Sequence, residues 1–163
     1  MGVITWFDAL LVTLLAAMTA LGARRGLAGL VWGVLGVLGI LVANALGLGL
    51  LPSAIVALVV SVVCALGISR LIRDPLQQVW HLAAGALGGL LLGAVLAGAL
   101  ALGFPREVRA TPQGLRTDYP STTLSPTLYD AVWGSAIQNA LRSVWTRPSL
   151  ARELLIPDQK ALR

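Results

Sequence analysis

Four long apolar runs, separated by short breaks, make up the first two thirds of the chain. Each run is close to the ~20 residues that a helix needs to cross ~30 Å of hydrocarbon. The pattern predicts four membrane-spanning helices, over about 4–21, 27–46, 52–69 and 82–102. We therefore expect an all-α fold, in which residues 1–103 form an integral membrane four-helix bundle and a C-terminal amphipathic helix lies outside the membrane.

The first break, Gly22–Gly26, places two arginines between two apolar runs. Arg24 and Arg25 are typical of a turn at a membrane surface, where helix ends meet lipid headgroups. A cleaved signal peptide would carry positive charge before its apolar core, whereas this run has Asp8 near its start. We expect the first run to be retained as a membrane span.

Glycines recur along the second and fourth predicted spans at helical spacing. Small residues four positions apart let two helices approach closely in a membrane. We expect the two glycine faces to pack on each other, and the other interpretation is a glycine-lined path for a solute. The glycines concerned are Gly29, Gly33 and Gly36 in the second span and Gly85, Gly89 and Gly93 in the fourth.

The tail, residues 104–163, is more polar, and its prolines predict an extended linker before a helix over about 126–146. Ser125 followed by Pro126 is a typical helix start. This helix is amphipathic and could lie on the membrane, dock on a protein partner or pack across the mouth of the bundle. Its apolar face includes Tyr129, Trp133, Ile137 and Leu141, and its polar face includes Ser135, Gln138, Asn139 and Arg142.

Composition supports a membrane protein, because 57% of the residues are hydrophobic and only 12% are charged. A soluble domain carries about 25% charged residues. The sequence pI is about 10.7, but no basic residue lies within the apolar runs, and the pairs Arg24/Arg25 and Arg70/Arg73 lie at their ends. That placement indicates contact with a lipid bilayer and disfavours nucleic acid as a partner.

The distribution of arginines predicts the orientation. The breaks after the first and third predicted spans lie on the same side and together hold Arg24, Arg25, Arg70 and Arg73, whereas the break after the second span holds none. Short basic loops are cytoplasmic, so both termini are expected to be extracytoplasmic. The arginines of the tail count against this orientation.

Asp8 is the only carboxylate inside an apolar run. One interpretation is a proton or cation site, and the other is a structural carboxylate that caps a helix or contacts the tail. His81 and Cys64 are the only residues of their types and cannot build a typical zinc site. Bilayer thickness separates His81 from Asp8, which excludes a Ser-His-Asp constellation, and the sequence has no phosphate-binding GxxxxGK motif. We therefore expect no catalytic, metal or cofactor site.

The first helical pair resembles the colicin V production (CvpA) family of membrane proteins. The match consists of Asp8, thirteen apolar-rich residues, and then Gly22–Leu27 at the opening of the second helix. A second match is Gly85–Gly89, and a weaker third is Ser121–Leu128. The resemblance implies a bacterial inner-membrane protein linked to toxin (colicin V) production or export and to envelope robustness.

Two positions depart from the family pattern. His81 and Leu82 stand where the family often has an Asp-Arg pair, and Leu92 or Gly93 stands where it often has a basic residue. We therefore do not expect this chain to have any function that depends on those charged residues of the family.

Two functional hypotheses follow. The first is a non-enzymatic membrane component that supports toxin export or envelope integrity through membrane or extracytoplasmic protein partners, with homo-oligomerisation open. The alternative is a small oligomeric channel or transporter that uses Asp8 and the glycine-lined helix faces.

Overall fold

The computed structural model describes residues 4–45, 79–105, 107–111 and 114–142, together with isolated positions between 55 and 67 and at 155. Three of its helices are long and apolar enough to cross a membrane, which confirms the prediction of a helical membrane protein in this coarser form. In chain order the elements are α1 (Trp6–Arg25), α2 (Leu27–Ala45), α3 (Val79–Leu102), β1 (Glu107–Thr111), β2 (Gly114–Asp118), α4 (Pro126–Gly134) and α5 (Ala136–Leu141).

A single residue, Gly26, separates α1 from α2. Its φ of 56° and ψ of −136° lie where residues with a side chain are strained, so glycine permits the break. The predicted turn over 22–26 is therefore too long, because the first four of its residues are helical. Arg24 and Arg25 occupy the last turn of α1, where positive charge interacts favourably with the helix dipole.

Helix α3 packs against both α1 and α2 and runs antiparallel to α1. At one end, Gly22 approaches Gly85 and Gly89 closely. At the other end, the ring centroids of Phe7 and Phe104 are 5.6 Å apart. The start of α1 and the chain that follows α3 therefore share one end of the helices, called here the tail end, and Arg24 and Arg25 lie at the other, the arginine end.

Helix α2 runs back from the arginine end beside α3. Gly29 and Gly33 meet Gly88 near the start of α3, and further along Ile40 packs in a cluster with Leu92 and Val95. The end of α2 and the start of α3 thus lie at opposite ends of the helices. The predicted third span, 52–69, lies outside the described residues except for isolated helical positions.

Strands β1 and β2 form an antiparallel hairpin in which Glu107 pairs with Asp118 and Thr111 pairs with Gly114. The prolines predicted an extended linker here, and its folding into paired strands was not predicted. The Glu107 carboxylate accepts hydrogen bonds from the Thr122 backbone N–H (3.1 Å) and hydroxyl (2.6 Å). These bonds tie the hairpin to the segment before α4.

Tyr119 joins this segment to the end of α3. Its hydroxyl donates to the carbonyl of Ala101 at 2.6 Å and accepts from the N–H of Phe104 at 3.3 Å. The last carbonyls of a helix have no partner within the helix, so the phenol satisfies one of them. Tyr119 is buried, and it fixes the point at which the chain leaves α3.

The predicted single helix over 126–146 is wrong in the described residues, because α4 ends at Gly134 and α5 begins at Ala136. Ser135 lies between them in an extended conformation (φ −60°, ψ 125°). Its hydroxyl accepts the N–H of Gln138, which is the arrangement of an N-cap. The break rotates α5 relative to α4, so one helical wheel does not describe both.

The tail packs on the ends of α1 and α3. Ala131 and Val132 of α4 are buried in a cluster with Phe7, Leu11 and Ala101, and Leu141 of α5 packs against it. Of the three arrangements considered for the tail, the described contacts are those of packing on the membrane helices themselves, at the start of α1 and the end of α3.

Candidate functional site

Asp8 lies in the first turn of α1, where it forms a capping box with Thr5. The N–H of Asp8 donates to the Thr5 hydroxyl at 3.4 Å, and the N–H of Thr5 donates to Asp8 Oδ2 at 2.9 Å. A capping box satisfies backbone donors that the helix start leaves without a partner. The local sequence therefore fixes the Asp8 carboxylate at the tail end.

The same carboxylate binds the start of α5, far along the chain. Asp8 Oδ1 accepts from the Ser135 hydroxyl at 2.6 Å and from the Ile137 N–H at 3.1 Å. Asp8 Oδ2 accepts from the Ala136 N–H at 3.2 Å. We call this set, Thr5, Asp8, Ser135, Ala136 and Ile137, the Asp8 junction.

The hydrogen bonds of the junction require an ionised carboxylate. Three of its donors are the backbone N–H groups of Thr5, Ala136 and Ile137, which can only donate. The Ser135 hydroxyl accepts the N–H of Gln138 at 3.1 Å and directs its own hydrogen toward Asp8. Asp8 is only 3% exposed, so these bonds replace the water that its charge would otherwise bind.

Thr5 connects the junction to α4 as well. Its hydroxyl lies 2.9 Å from the carbonyl of Ala131 and 3.1 Å from Asp8 Oδ2, so its hydrogen can be given to either oxygen. A Cβ placed on Gly134 would lie 3.3 Å from the methyl group of Thr5. The start of α1 therefore touches both tail helices.

Gly29, Gly33, Gly85, Gly89 and Gly93 lie at close helix contacts, and their pairing agrees only in part with the one expected. Gly88 of α3 faces Gly29 and Gly33 of α2, in agreement with the predicted packing of those two glycine faces. Gly85 and Gly89 instead face α1, where a Cβ on either residue would overlap a backbone carbonyl. One surface of α3 therefore serves two neighbouring helices.

Two further glycines of the predicted faces are buried. A Cβ on Gly93 would lie 3.0 Å from the Cβ of Met18 and 3.2 Å from Cδ1 of Leu15, both in α1. Gly36 lies on α2. Atoms of α1 occupy the space beside Gly93, so this glycine lies at the contact between α1 and α3.

The tail residues predicted to form one apolar face are divided by the break at Ser135. Ile137 and Leu141 are partly buried against the core, and Tyr129 stacks on Trp133, which is exposed. Two residues assigned to the polar face, Ser135 and Gln138, are fully buried, so that assignment is wrong. The nitrogen of the buried Gln138 amide has no hydrogen-bond partner among the described residues.

At the arginine end, Arg24 and Arg25 are exposed, and the Arg25 guanidinium lies 5.2 Å from the ring centre of Trp32. His81 lies in the first turn of α3 at this same end, remote from Asp8. The described residues contain no group of three or more histidine, cysteine or acidic side chains that could hold a metal ion. Among the described residues, we therefore take the Asp8 junction as the candidate functional site.

Sequence reasoning missed the partners of Asp8, although two short signals were present. The sequence Thr5-Trp6-Phe7-Asp8 has the spacing of a capping box, with aspartate in place of the usual glutamate. Ser135-Ala136-Ile137-Gln138 has the serine-to-glutamine spacing of another helix start. Neither signal indicates that the two helix starts meet, since that depends on how α3 returns the chain to the tail end.

Comparisons with known proteins add no relative. No family model matches the chain, and neither the curated proteins nor the solved structures give a match. They therefore lend no support to the resemblance to the colicin V production family.

Proposed function

We propose that this chain is a non-enzymatic, multi-pass component of the bacterial inner membrane that supports toxin production or export, or envelope integrity, through protein partners. The proposal includes four spans and both termini on the extracytoplasmic side. Its support is the resemblance of residues Asp8 to Leu27 to the colicin V production family, the three apolar helices and the enclosed state of Asp8.

The Asp8 junction is the observation that favours a structural component over a transporter. A carboxylate that carries protons or cations must exchange partners with water or with the transported ion. Asp8 is instead enclosed, and donors of the chain itself bind both of its oxygens. Its work in this arrangement is to hold the tail on the membrane helices.

The glycine contacts also favour a structural component over a channel. A glycine-lined path would need open space beside the glycines, whereas backbone atoms of the neighbouring helix occupy that space at Gly22, Gly33, Gly85 and Gly89. Close backbone approach is the ordinary use of glycine between membrane helices. We therefore assign these residues to packing within the chain and rank the channel hypothesis second.

A face of α2 offers a surface for a membrane-embedded partner. Val31, Val34, Leu38 and Val42 follow one another at helical spacing and are all exposed large hydrophobic residues. In the membrane such a face contacts either lipid or another protein helix. We propose that a helix of a membrane protein partner packs here.

Photo-cross-linking in cells that require the protein tests this proposal. A photoreactive residue at Leu38, which is 50% exposed, is expected to capture the partner. The matched control is Ile40, which is 4% exposed and should give only links within the chain. Loss of the captured protein should reproduce the toxin-export or envelope defect caused by loss of this chain.

Two outcomes would contradict the proposal. One is the absence of any link to another protein from Val31, Val34, Leu38 or Val42 in those cells. The other is a proton or cation flux through the reconstituted protein that disappears in a folded Asp8→Asn variant. The second outcome would favour the channel hypothesis instead.

A further inference from the structure

An aromatic and basic cluster of Tyr129, Trp133 and Arg142 lies on the tail, and we call it the Trp133 cluster. The rings of Tyr129 and Trp133 are stacked, with centroids 6.1 Å apart and planes 6° from parallel. The guanidinium carbon of Arg142 lies 4.7 Å from the centre of the Trp133 ring. Trp133 is nevertheless 46% exposed, so this ordered group leaves much of an indole open.

The contacts of Thr5 fix the level of this cluster relative to the membrane. Helix α1 has 20 residues, and at ~1.5 Å per residue it matches the ~30 Å of a bilayer hydrocarbon core. Its first residue, Trp6, therefore lies at the membrane surface and is 55% exposed. Thr5 touches Gly134 and lies within hydrogen-bond distance of the Ala131 carbonyl, so the last turn of α4 lies at this same level.

The Arg142 guanidinium is held in place and keeps donors to spare. Its Nε–H donates to Oε1 of Gln138 at 3.3 Å, and its Nη2 lies 3.5 Å from the carbonyl of Tyr119. A guanidinium has five N–H groups. Two of them are used in these bonds, and the other three have no acceptor among the described residues. Planar N–H groups of this kind match the oxygens of a phosphate.

We propose that the Trp133 cluster docks on the phospholipid headgroups of the leaflet at the tail end. Trp133 and Tyr129 lie among the headgroups, where amphipathic rings are enriched at membrane surfaces, and Arg142 binds a lipid phosphate. Trp6, at the same level on α1, is a third interfacial aromatic residue. The docking holds α4 and α5 against the leaflet, so the tail is attached both to the helices and to the lipid.

The acidic residues near the cluster are compatible with this partner. Asp8 is buried in its junction and presents no charge at the surface. Asp130 is exposed, one turn before Trp133 on α4. Asp130 and Arg142 are the two charged residues of 126–142, so this segment carries no net charge. The attraction therefore comes from the indole and from phosphate hydrogen bonds rather than from net positive charge.

Fluorescence quenching of the full-length protein in phospholipid vesicles tests the proposal. The fluorescence of Trp133 is obtained by subtracting the fluorescence of the Trp133→Phe variant from that of the wild type. Subtracting the fluorescence of Trp133→Tyr gives a second, independent value. We expect lipids brominated close to the headgroup to quench this fluorescence several-fold more than lipids brominated at the chain ends. Trp32, which is 8% exposed within the bundle, is the matched control, and its contribution should resist every quencher.

Quenching of Trp133 fluorescence by iodide in the aqueous phase is the complementary measurement, because it reports an indole that faces water. Docking on lipid predicts that iodide quenches Trp133 weakly in vesicles and several-fold more strongly after transfer to a short-chain detergent. Strong iodide quenching in vesicles would overturn the proposal, because the indole would then face water. Resistance to both iodide and brominated lipid would also overturn it, because a protein surface would then cover Trp133.

Discussion

The hydroxyl of Ser135 donates a 2.6 Å hydrogen bond to the carboxylate of Asp8, and this bond joins the start of the last described helix to the start of the first. Asp8 thereby caps its own helix, α1, and also accepts the first N–H groups of α5. The single carboxylate of the apolar runs thus determines where the tail is seated.

Replacing Asp8 by asparagine should release the tail. The amide nitrogen of the new side chain would face N–H or O–H donors in either orientation, and the charge that strengthens these bonds would be lost. Hydrogen bonds to a charged group contribute ~1.5–3 kcal/mol, so the junction should weaken by about that amount. The measurement is limited proteolysis of the detergent-solubilised protein, with cleavage at least severalfold faster in residues 119–142.

Asp130→Asn is the matched control for this experiment, because Asp130 is an exposed carboxylate on α4. Protease should cleave the Asp130→Asn variant at the wild-type rate. Equal protease resistance of Asp8→Asn and wild type would show that the junction does not hold the tail.

Ser135→Ala should destabilise the protein more than Ser125→Ala, although both serines are N-caps. The Ser135 hydroxyl accepts the Gln138 N–H and donates to Asp8, whereas Ser125 makes no side-chain capping bond. Loss of an N-cap bond costs ~0.5–2 kcal/mol. Thermal unfolding in detergent should show a lowered midpoint for Ser135→Ala only, and equal midpoints for the two variants would refute the assignment.

Gly22→Ala should disrupt the contact between α1 and α3. The added methyl group would overlap the carbonyl of Gly85 and lie 2.8 Å from the Cα of Gly89, so the backbones must separate. Overpacking of this kind costs ~1–3 kcal/mol. The thermal midpoint in detergent should fall, and the protein should aggregate at lower temperature.

Gly39→Ala is the corresponding control on α2. A Cβ there would lie 3.8 Å from Cγ1 of Val60, which is ordinary van der Waals contact. Because alanine favours a helix over glycine by ~1 kcal/mol, this variant should be as stable as wild type or more so. A larger loss of stability in Gly39→Ala than in Gly22→Ala would contradict the described packing.

Tyr119→Phe should loosen the connection between α3 and the hairpin without changing the shape of the core. The variant leaves the carbonyl of Ala101 and the N–H of Phe104 without their phenol partner. An unsatisfied buried group costs ~1–3 kcal/mol. Hydrogen exchange at Phe104 should accelerate, whereas Tyr129→Phe, which keeps its ring on Trp133, should leave that exchange unchanged.

The membrane helices could be predicted from the sequence because an apolar run of about 20 residues is typical of a membrane-spanning helix and of few other structures. Three described helices agree with the predicted spans to within a few residues. The turn at 22–26 was predicted too long because the whole break in the apolar pattern was taken as the turn, whereas in the structure Gly22 is a helical packing residue beside Gly85 and Gly89. A glycine between two helices cannot be distinguished from a glycine in a loop without the partner helix.

The Asp8 junction could be predicted only in part. Both a structural carboxylate and contact with the tail were among the interpretations of Asp8, and the structure shows both. The identity of its partners was not predictable, because a helical wheel drawn through Ser135 assumes an unbroken helix. Ser135 and Gln138 look polar and exposed on that wheel, yet the break turns both of them inward.

Disulfide formation between Thr5→Cys and Gly134→Cys, in a Cys64→Ala background, tests the central claim most directly. The two positions are adjacent in the structure, and the bond of the residue 5 backbone N–H to Asp8 remains. In native membranes the pair should oxidise readily, and adding Asp8→Asn should reduce the yield. If both thiols react with a membrane-impermeant alkylating reagent and yet form no disulfide, the tail does not rest on the start of α1 and the account is wrong.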